Sequence, residues 1–307
     1  MNPKSRAWLL ILVFAAVCGV SVWAVVGYRS RPLTTGQMLD RLPTQDALVL
    51  SIDFAALRRG GILQLLDSAK AGQDPDYQTF VEKTNFDYRQ DLDLAIAAFG
   101  PTGKYMILKG RFDWRSLRHY AVSQSGDCLN LLCRMTGSTS DRRISFFPIQ
   151  SGLMALAVSQ DDSAALRMNT PSPTHLPEVP NAPVWISIPA SILRSKEELP
   201  AGTQMFAEGM EHAESVTIAF TPDGDRLSAN LSILCQTEAD AAGLASQLVR
   251  TTMLLRDLIA REHQRPNSAD LSGVLTAGSF RSKGRRVLGY WPVDRAFIEN
   301  LLSGGLS

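Results

Sequence analysis

Charge of one sign is what this chain lacks most clearly. Its 307 residues carry 31 Lys and Arg against 30 Asp and Glu, a net charge of +1. A dedicated nucleic-acid binder normally carries a strongly basic footprint, so this balance argues against nucleic acid as a partner. Cysteine is scarce, four residues in all, too few for the framework of a small disulfide-built scaffold. Histidine is equally scarce, at His119, His175, His212 and His263. No two of these stand at the i, i+4 spacing of a helical zinc site, and none lies close to a cysteine pair. No Gly-x-Ser-x-Gly elbow marks a hydrolase nucleophile. The sequence therefore names no catalytic residue, no cofactor-binding residue and no metal ligand.

What is present begins with an uncharged run, residues 7–27, close to the ~20 residues a helix needs to cross a bilayer core. Trp8 stands near one end, with Trp23 and Tyr28 near the other, where amphipathic rings favour the interface. The run is longer than a cleaved signal, and the residues around Val22-Trp23-Ala24 offer no good cleavage site. The expectation is an uncleaved single-pass anchor in the cell inner membrane, its short tail cytoplasmic and the body extracytoplasmic. Residues 1–31 are then tail and anchor, with the bilayer as partner through residues 7–27.

The 307 residues as a whole are 45% hydrophobic, so the body beyond this run can bury real cores. Leu48 to Asp53 reads as a strand, followed by helices from Phe54 and from Pro75 to Lys83. Leu94–Phe99 and Lys104–Phe112 form a hairpin around Gly100-Pro101-Thr102-Gly103. Asp113 is placed to cap a helix from Trp114 to about Ser123. Further strands fall at Leu131–Gly137, Ile144–Ile149 and Leu153–Ser159, and Asp161 caps a helix over Ser163–Met168. A Pro-rich span, residues 170–183, reads as a stiff linker.

The second half echoes the first. Val184–Arg194 matches Leu48–Arg58, and Ala219-Phe220-Thr221-Pro222-Asp223-Gly224 matches Ala98-Phe99-Gly100-Pro101-Thr102-Gly103. Thr237 caps a long helix from Glu238, with Leu244, Leu248, Leu255 and Ile259 on one face. Val274–Phe280 and Arg286–Trp291 read as a last hairpin across Ser282-Lys283-Gly284. The expected fold class is α+β: an N-terminal transmembrane helix, then two related ferredoxin-like, βαββαβ-type units over residues 32–169 and 184–307.

The patterns nearest to chemistry each have a simpler structural account. Ala98 to Lys104 has two residues between its glycines and Tyr105 after its lysine, so it is a hairpin turn and not a phosphate loop. Asp87, Asp91 and Asp93 alternate loosely but lack the glycine and late glutamate of a calcium loop. Cys128 and Cys133 allow either a small-loop disulfide in an extracytoplasmic body or two thiols, one buried. Arg142-Arg143 and Arg281-Ser282-Lys283-Gly284-Arg285-Arg286 read as charged turns that could meet anionic headgroups if they faced a bilayer.

The run Phe80-Val81-Glu82-Lys83-Thr84-Asn85-Phe86-Asp87, with Asp91-Leu92-Asp93, resembles a pattern in uncharacterised bacterial membrane-anchored proteins with a duplicated α+β body. The resemblance implies that layout and no activity. The functional expectation is a binding or assembly module for an envelope protein partner. An envelope hydrolase with a site assembled only in the fold, or a lipid-binding module, are the alternatives. A deep pocket with convergent His, Ser and acidic groups would favour the enzyme, and a shallow groove the binding module.

Overall fold

The computed structural model describes residues 32–63, 75–137, 139, 142–172, 179–194, 212–223, 226–261, 265–297 and 300. The chain divides into two units, residues 1–38 and 39–307. Of the first, residues 32–38 are described. There Thr34 and Gln37 bond reciprocally at the start of α1 (Thr35–Leu39), backbone to side chain at 3.0 and 3.3 Å, in the manner of a capping box.

The second unit is built on one antiparallel sheet. Its strands are β1 (Leu48–Asp53), β2 (Leu92–Gly100), β3 (Gly103–Gly110), β4 (Asp127–Leu129), β5 (Leu132–Thr136), β6 (Arg143–Gln150) and β7 (Leu153–Ser159). They continue with β8 (Val184–Pro189), β9 (Ala213–Asp223), β10 (Arg226–Cys235), β11 (Ser279–Lys283) and β12 (Arg286–Val293). The order across the sheet is β11-β12-β10-β9-β8-β1-β2-β3-β7-β6-β5-β4. Tight turns set most neighbours: β2 returns as β3 with Gly100 opposite Gly103, and β9 returns as β10. At the centre β1 pairs with β8, Val49 opposite Ser187 through Ile52 opposite Val184. Each of these two strands already has its hairpin-side neighbour. Pairing their free edges satisfies backbone donors and acceptors that would otherwise lie open.

Local signals account for most of the helices. α2 (Phe54–Arg59) starts where Asp53 accepts from the Ala56 amide at 2.7 Å. α3 (Pro75–Thr84) begins on proline, and α4 (Tyr88–Asp91) on an Asp87 cap. In α5 (Trp114–Ser123) the Asp113 carboxylate accepts from the Arg115 and Ser116 amides. α6 (Ala164–Arg167) follows Asp161, whose carboxylate accepts from the Ser163 amide and hydroxyl. α7 (Ala190–Arg194) follows β8 directly. α8 (Glu238–Arg261) opens with Thr237 and Asp240 bonding each other's amides, both at 3.1 Å.

Strand register separates the two faces. On one, Leu108, Phe146, Met154 and Leu156 pack under α5, while Phe54 and Leu57 of α2 meet Leu92 and Ala95. The same face continues as Val216, Leu231, Ile233 and Val287 beneath Ala241, Leu244, Ala245 and Leu248 of α8. On the other face α6 lies over β6 and β7, its Ala165 amide donating to the buried Ser145 hydroxyl at 3.2 Å.

Several sequence expectations are corrected here. The body is not a pair of ferredoxin-like units. A split βαβ needs a third strand inserted between two that a helix joins, whereas β1 and β2, joined through α2 to α4, pair directly. A single sheet runs through both halves, and no ferredoxin-like duplication is present among the described residues. The transmembrane, single-pass, inner-membrane reading is corrected as well. Among the described residues no helix is long and apolar enough to cross a membrane. Residues 7–27, on which that reading rested, lie outside the described residues.

A smaller correction concerns Val274. It lies in α9 (Leu271–Ala277) rather than in a strand, because Asp270 caps a helix there by accepting from the Ser272 and Gly273 amides. β4 was also missed, being three residues long. Part of the Pro-rich span, residues 173–178, lies outside the described residues.

Candidate functional site: an open trough on the sheet

The face covered by α6 on one flank changes character across the seam. On β2, β3 and β7 it presents Ile96, Ala98, Ile107, Ala155 and Ala157, all buried. Beyond β8 the same face carries Thr217 and Thr221 of β9, Ser228, Asn230 and Ser232 of β10, and Leu288 and Tyr290 of β12. Ser279, Arg281 and Lys283 of the terminal strand β11 complete it, opposite Tyr290, Leu288 and Arg286. Antiparallel partners share a face, so the pairings Thr217–Ser232–Leu288–Arg281 and Ala219–Asn230–Tyr290–Ser279 are rows laid across four strands.

These rows floor an open trough of about 890 Å³, with Pro180 also in its lining. Among the described residues its lining includes three cations, Arg281, Lys283 and Arg286, and no carboxylate. Arg286 leans onto the floor, Nη1 donating to Ser232 Oγ at 3.1 Å. Among the described residues neither Arg281 nor Lys283 forms a salt bridge, and both are exposed. Nearby cations are paired: Arg285 donates to Glu214 at 2.6 Å and to the Cys235 carbonyl at 2.9 Å, and Arg226 meets Asp294 at 2.8 Å.

Deeper in, Asn230 Nδ2 donates to Thr221 Oγ1 at 3.2 Å and to Ser228 Oγ at 3.1 Å, and those two hydroxyls stand 2.7 Å apart. Tyr290 donates its hydroxyl to Asp223 at 2.9 Å, which raises the phenol's pKa by stabilising the neutral form. The ring is thereby held along the trough wall.

The residues singled out from the sequence fall elsewhere, apart from the Arg281–Arg286 turn. His119 lies exposed on α5 and His212 exposed before β9; His175 and His263 lie outside the described residues. The three aspartates each have a separate task. Asp87 caps α4, accepts from the Tyr77 hydroxyl at 3.1 Å and meets Arg89 at 3.1 Å. Burial pushes its carboxyl pKa up, but the Arg89 and Tyr77 hydrogen bonds outweigh that and hold it below the usual range. Asp91 pairs with Arg111 at 2.9 Å and Asp93 with Arg58 at 3.7 Å. Among the described residues no cluster of His, Cys, Asp and Glu forms a metal site.

Cys128 and Cys133 face each other on β4 and β5 and are joined as a disulfide. Cys235 is buried and free, its thiol pKa raised by burial and by Asp240 and Glu214. Arg143 bonds Thr136 at 3.3 Å on the far flank, away from the trough. Lys104 follows a plain two-residue hairpin turn.

No protein-family model matches the chain, and no curated protein matches it. Among solved structures, three crystal forms of TP0453 are similar at fold level. Form I is 10% identical with a TM-score of 0.49, covering 89% of this chain and 100% of that one. Form III is 8% identical with a TM-score of 0.47, over 87% and 97%. Form IV is 9% identical with a TM-score of 0.45, over 86% and 96%. At these values the likeness bears on neither site nor function.

Proposed function

We propose that this chain is a binding module that uses the open sheet face across β9, β10, β12 and β11, and that it is not a catalyst. One observation carries the reading. A sheet face that is apolar and buried on one flank becomes polar and open on the other, over a trough of about 890 Å³. Among the described residues nothing covers that half of a continuous face, and its lining includes hydroxyls, an amide and cations. Among the described lining residues there is no histidine, and the nearby Asp223 carboxylate is engaged by the Tyr290 hydroxyl at 2.9 Å rather than by a serine or threonine of the floor. Nor is the trough the long apolar cavity a lipid-binding module would need.

Thermal-shift screening of glycans, peptides, nucleotides and lipids against the wild type and Ser232→Trp tests this. Ser232 is half-buried on the floor, and an indole there obstructs the trough. One ligand class should raise the melting temperature of the wild type only, and should be recovered chemically unchanged. A ligand recovered cleaved, or no class distinguishing the two proteins, overturns the proposal.

A further inference from the structure

Resting on the reading of the trough as a binding site, we infer that its ligand is an acidic oligosaccharide. Two kinds of group line the site, and they are segregated. Cations stand at one side only, Arg281 and Lys283 on β11 and Arg286 beside them on β12. The floor is neutral and hydrogen-bonding: Thr217, Ser232 and Ser279 supply hydroxyls, and Asn230 supplies its amide. Asn230, bonded through its amide to Thr221 and Ser228, is a further neutral polar group of that lining.

A ligand that matches this pattern brings a negative charge to one wall and its own hydroxyls, donors as well as acceptors, to the floor. A sugar acid does both, and its apolar ring face has Leu288 and the Tyr290 ring to lie against. The other polyanions fit less well. A single-stranded nucleic acid needs a series of stacking rings, and among the described residues the lining holds two aromatic side chains, Tyr290 and Phe280, the latter also packed against the α8 side. An acidic peptide brings charge and backbone N–H donors but no row of hydroxyls to meet Thr217, Ser232 and Ser279. Four strands at ~4.8 Å spacing make the floor roughly 14 Å wide, which suits a short chain better than a single small anion. In a chain with 30 acidic residues to 31 basic, the described lining residues include three cations and no carboxylate, Asp223 lying beside them on the Tyr290 hydroxyl.

The test is calorimetric titration of the full chain with three length-matched probes: tetragalacturonate, maltotetraose and tetraglutamate. Tetragalacturonate should bind, with maltotetraose and tetraglutamate each weaker by roughly tenfold or more. The Arg281→Glu/Lys283→Glu variant should lose tetragalacturonate affinity by at least that factor. Arg115→Glu/Arg118→Glu, the same charge change on the exposed side of α5, should not. Since Arg281 and Lys283 are exposed, their replacement leaves the core intact, which an unchanged melting temperature will show.

Equal affinity for tetraglutamate would overturn the sugar assignment. Equal affinity for maltotetraose, or an unaffected Arg281→Glu/Lys283→Glu variant, would overturn the charge assignment. If no probe binds while the thermal-shift screen still finds another class blocked by Ser232→Trp, this inference fails and the binding-module reading stands. If that screen is empty too, both fail.

Discussion

Single side chains already decide much of how this molecule responds to pH. Three cap aspartates hold carboxyl pKa values below the ordinary range, each mainly through hydrogen bonds it accepts: Asp113 from Ser116, Asp161 from Ser163 and Asp270 from Ser272. A depressed pKa contributes stability that is present above the unfolded value and lost as pH falls through the folded one. The midpoint of urea unfolding should therefore fall as pH drops below about 4. The triple variant Asp113→Asn/Asp161→Asn/Asp270→Asn keeps the capping oxygens without the titration and should flatten that limb. Tyr77 works at the other end of the scale. Burial and the neighbouring Asp87 charge raise its pKa from 10.0 to about 12, against a lowering contribution from its contact with the Tyr88 amide. The stability it contributes is complete below about pH 10 and is lost as pH rises towards 12. Tyr77→Phe should show a shallower alkaline decline over that interval in the same experiment.

At the level of elements, the caps were legible because an Asp or Thr before an apolar periodic run has a local meaning. Asp113 and Thr237 start helices where the sequence places them, whereas Asp161 bonds the amide of Ser163, which is itself the cap of the shorter helix Ala164–Arg167. Asp270 follows the same rule and was hidden by the β-rich composition of Val274–Phe280 around it. The hairpins were legible for a similar reason, since Gly100 and Gly103 bracket a turn. Pairing between distant strands was not. Nothing local in Val49–Ile52 says that its second neighbour lies at Val184–Ser187, and a duplicated motif suggested two closed units where the edges join into one sheet.

The trough stood between these cases. Ser228-Ala229-Asn230-Leu231-Ser232 alternates strictly, which marks a strand with one polar face, and the Arg281–Arg286 turn was visibly basic. That these meet over one cavity required the order β9-β10-β12-β11. Another element-scale prediction concerns the β4–β5 hairpin, whose disulfide spans a sequence separation of 5. Closing so short a loop contributes about 2 kcal/mol on the chain-entropy account. Cys128→Ser/Cys133→Ser should lose stability of that order, and hydrogen exchange should quicken across Asp127–Thr136 while β9, β10 and β12 remain as protected as before.

For residues 39–307 taken together, the decisive contact is the β1–β8 seam. It is only four residue pairs wide, yet it joins the strands from Leu48 to Ser159 with those from Val184 to Val293. Trp185 sits on it, 1% exposed, and is the largest fully buried side chain among the described residues. Trp185→Ala should cost about 3–5 kcal/mol. Calorimetry should show whether the seam couples the flanks: one transition in the wild type, and two in the variant as the flanks melt apart. A single transition in both would mean that cooperativity does not depend on this residue.

The seam also has a consequence during synthesis. β1 leaves the ribosome early, but the strand that covers its second edge begins at Val184, after every other strand of the first flank has been made. At translation rates of roughly 5–20 residues per second, Val49 to Ile52 wait on the order of ten seconds with an unpaired backbone edge beside a completed sheet. For that interval the nascent chain offers a templating surface to any extended segment nearby, including β1 of the next chain on the same message.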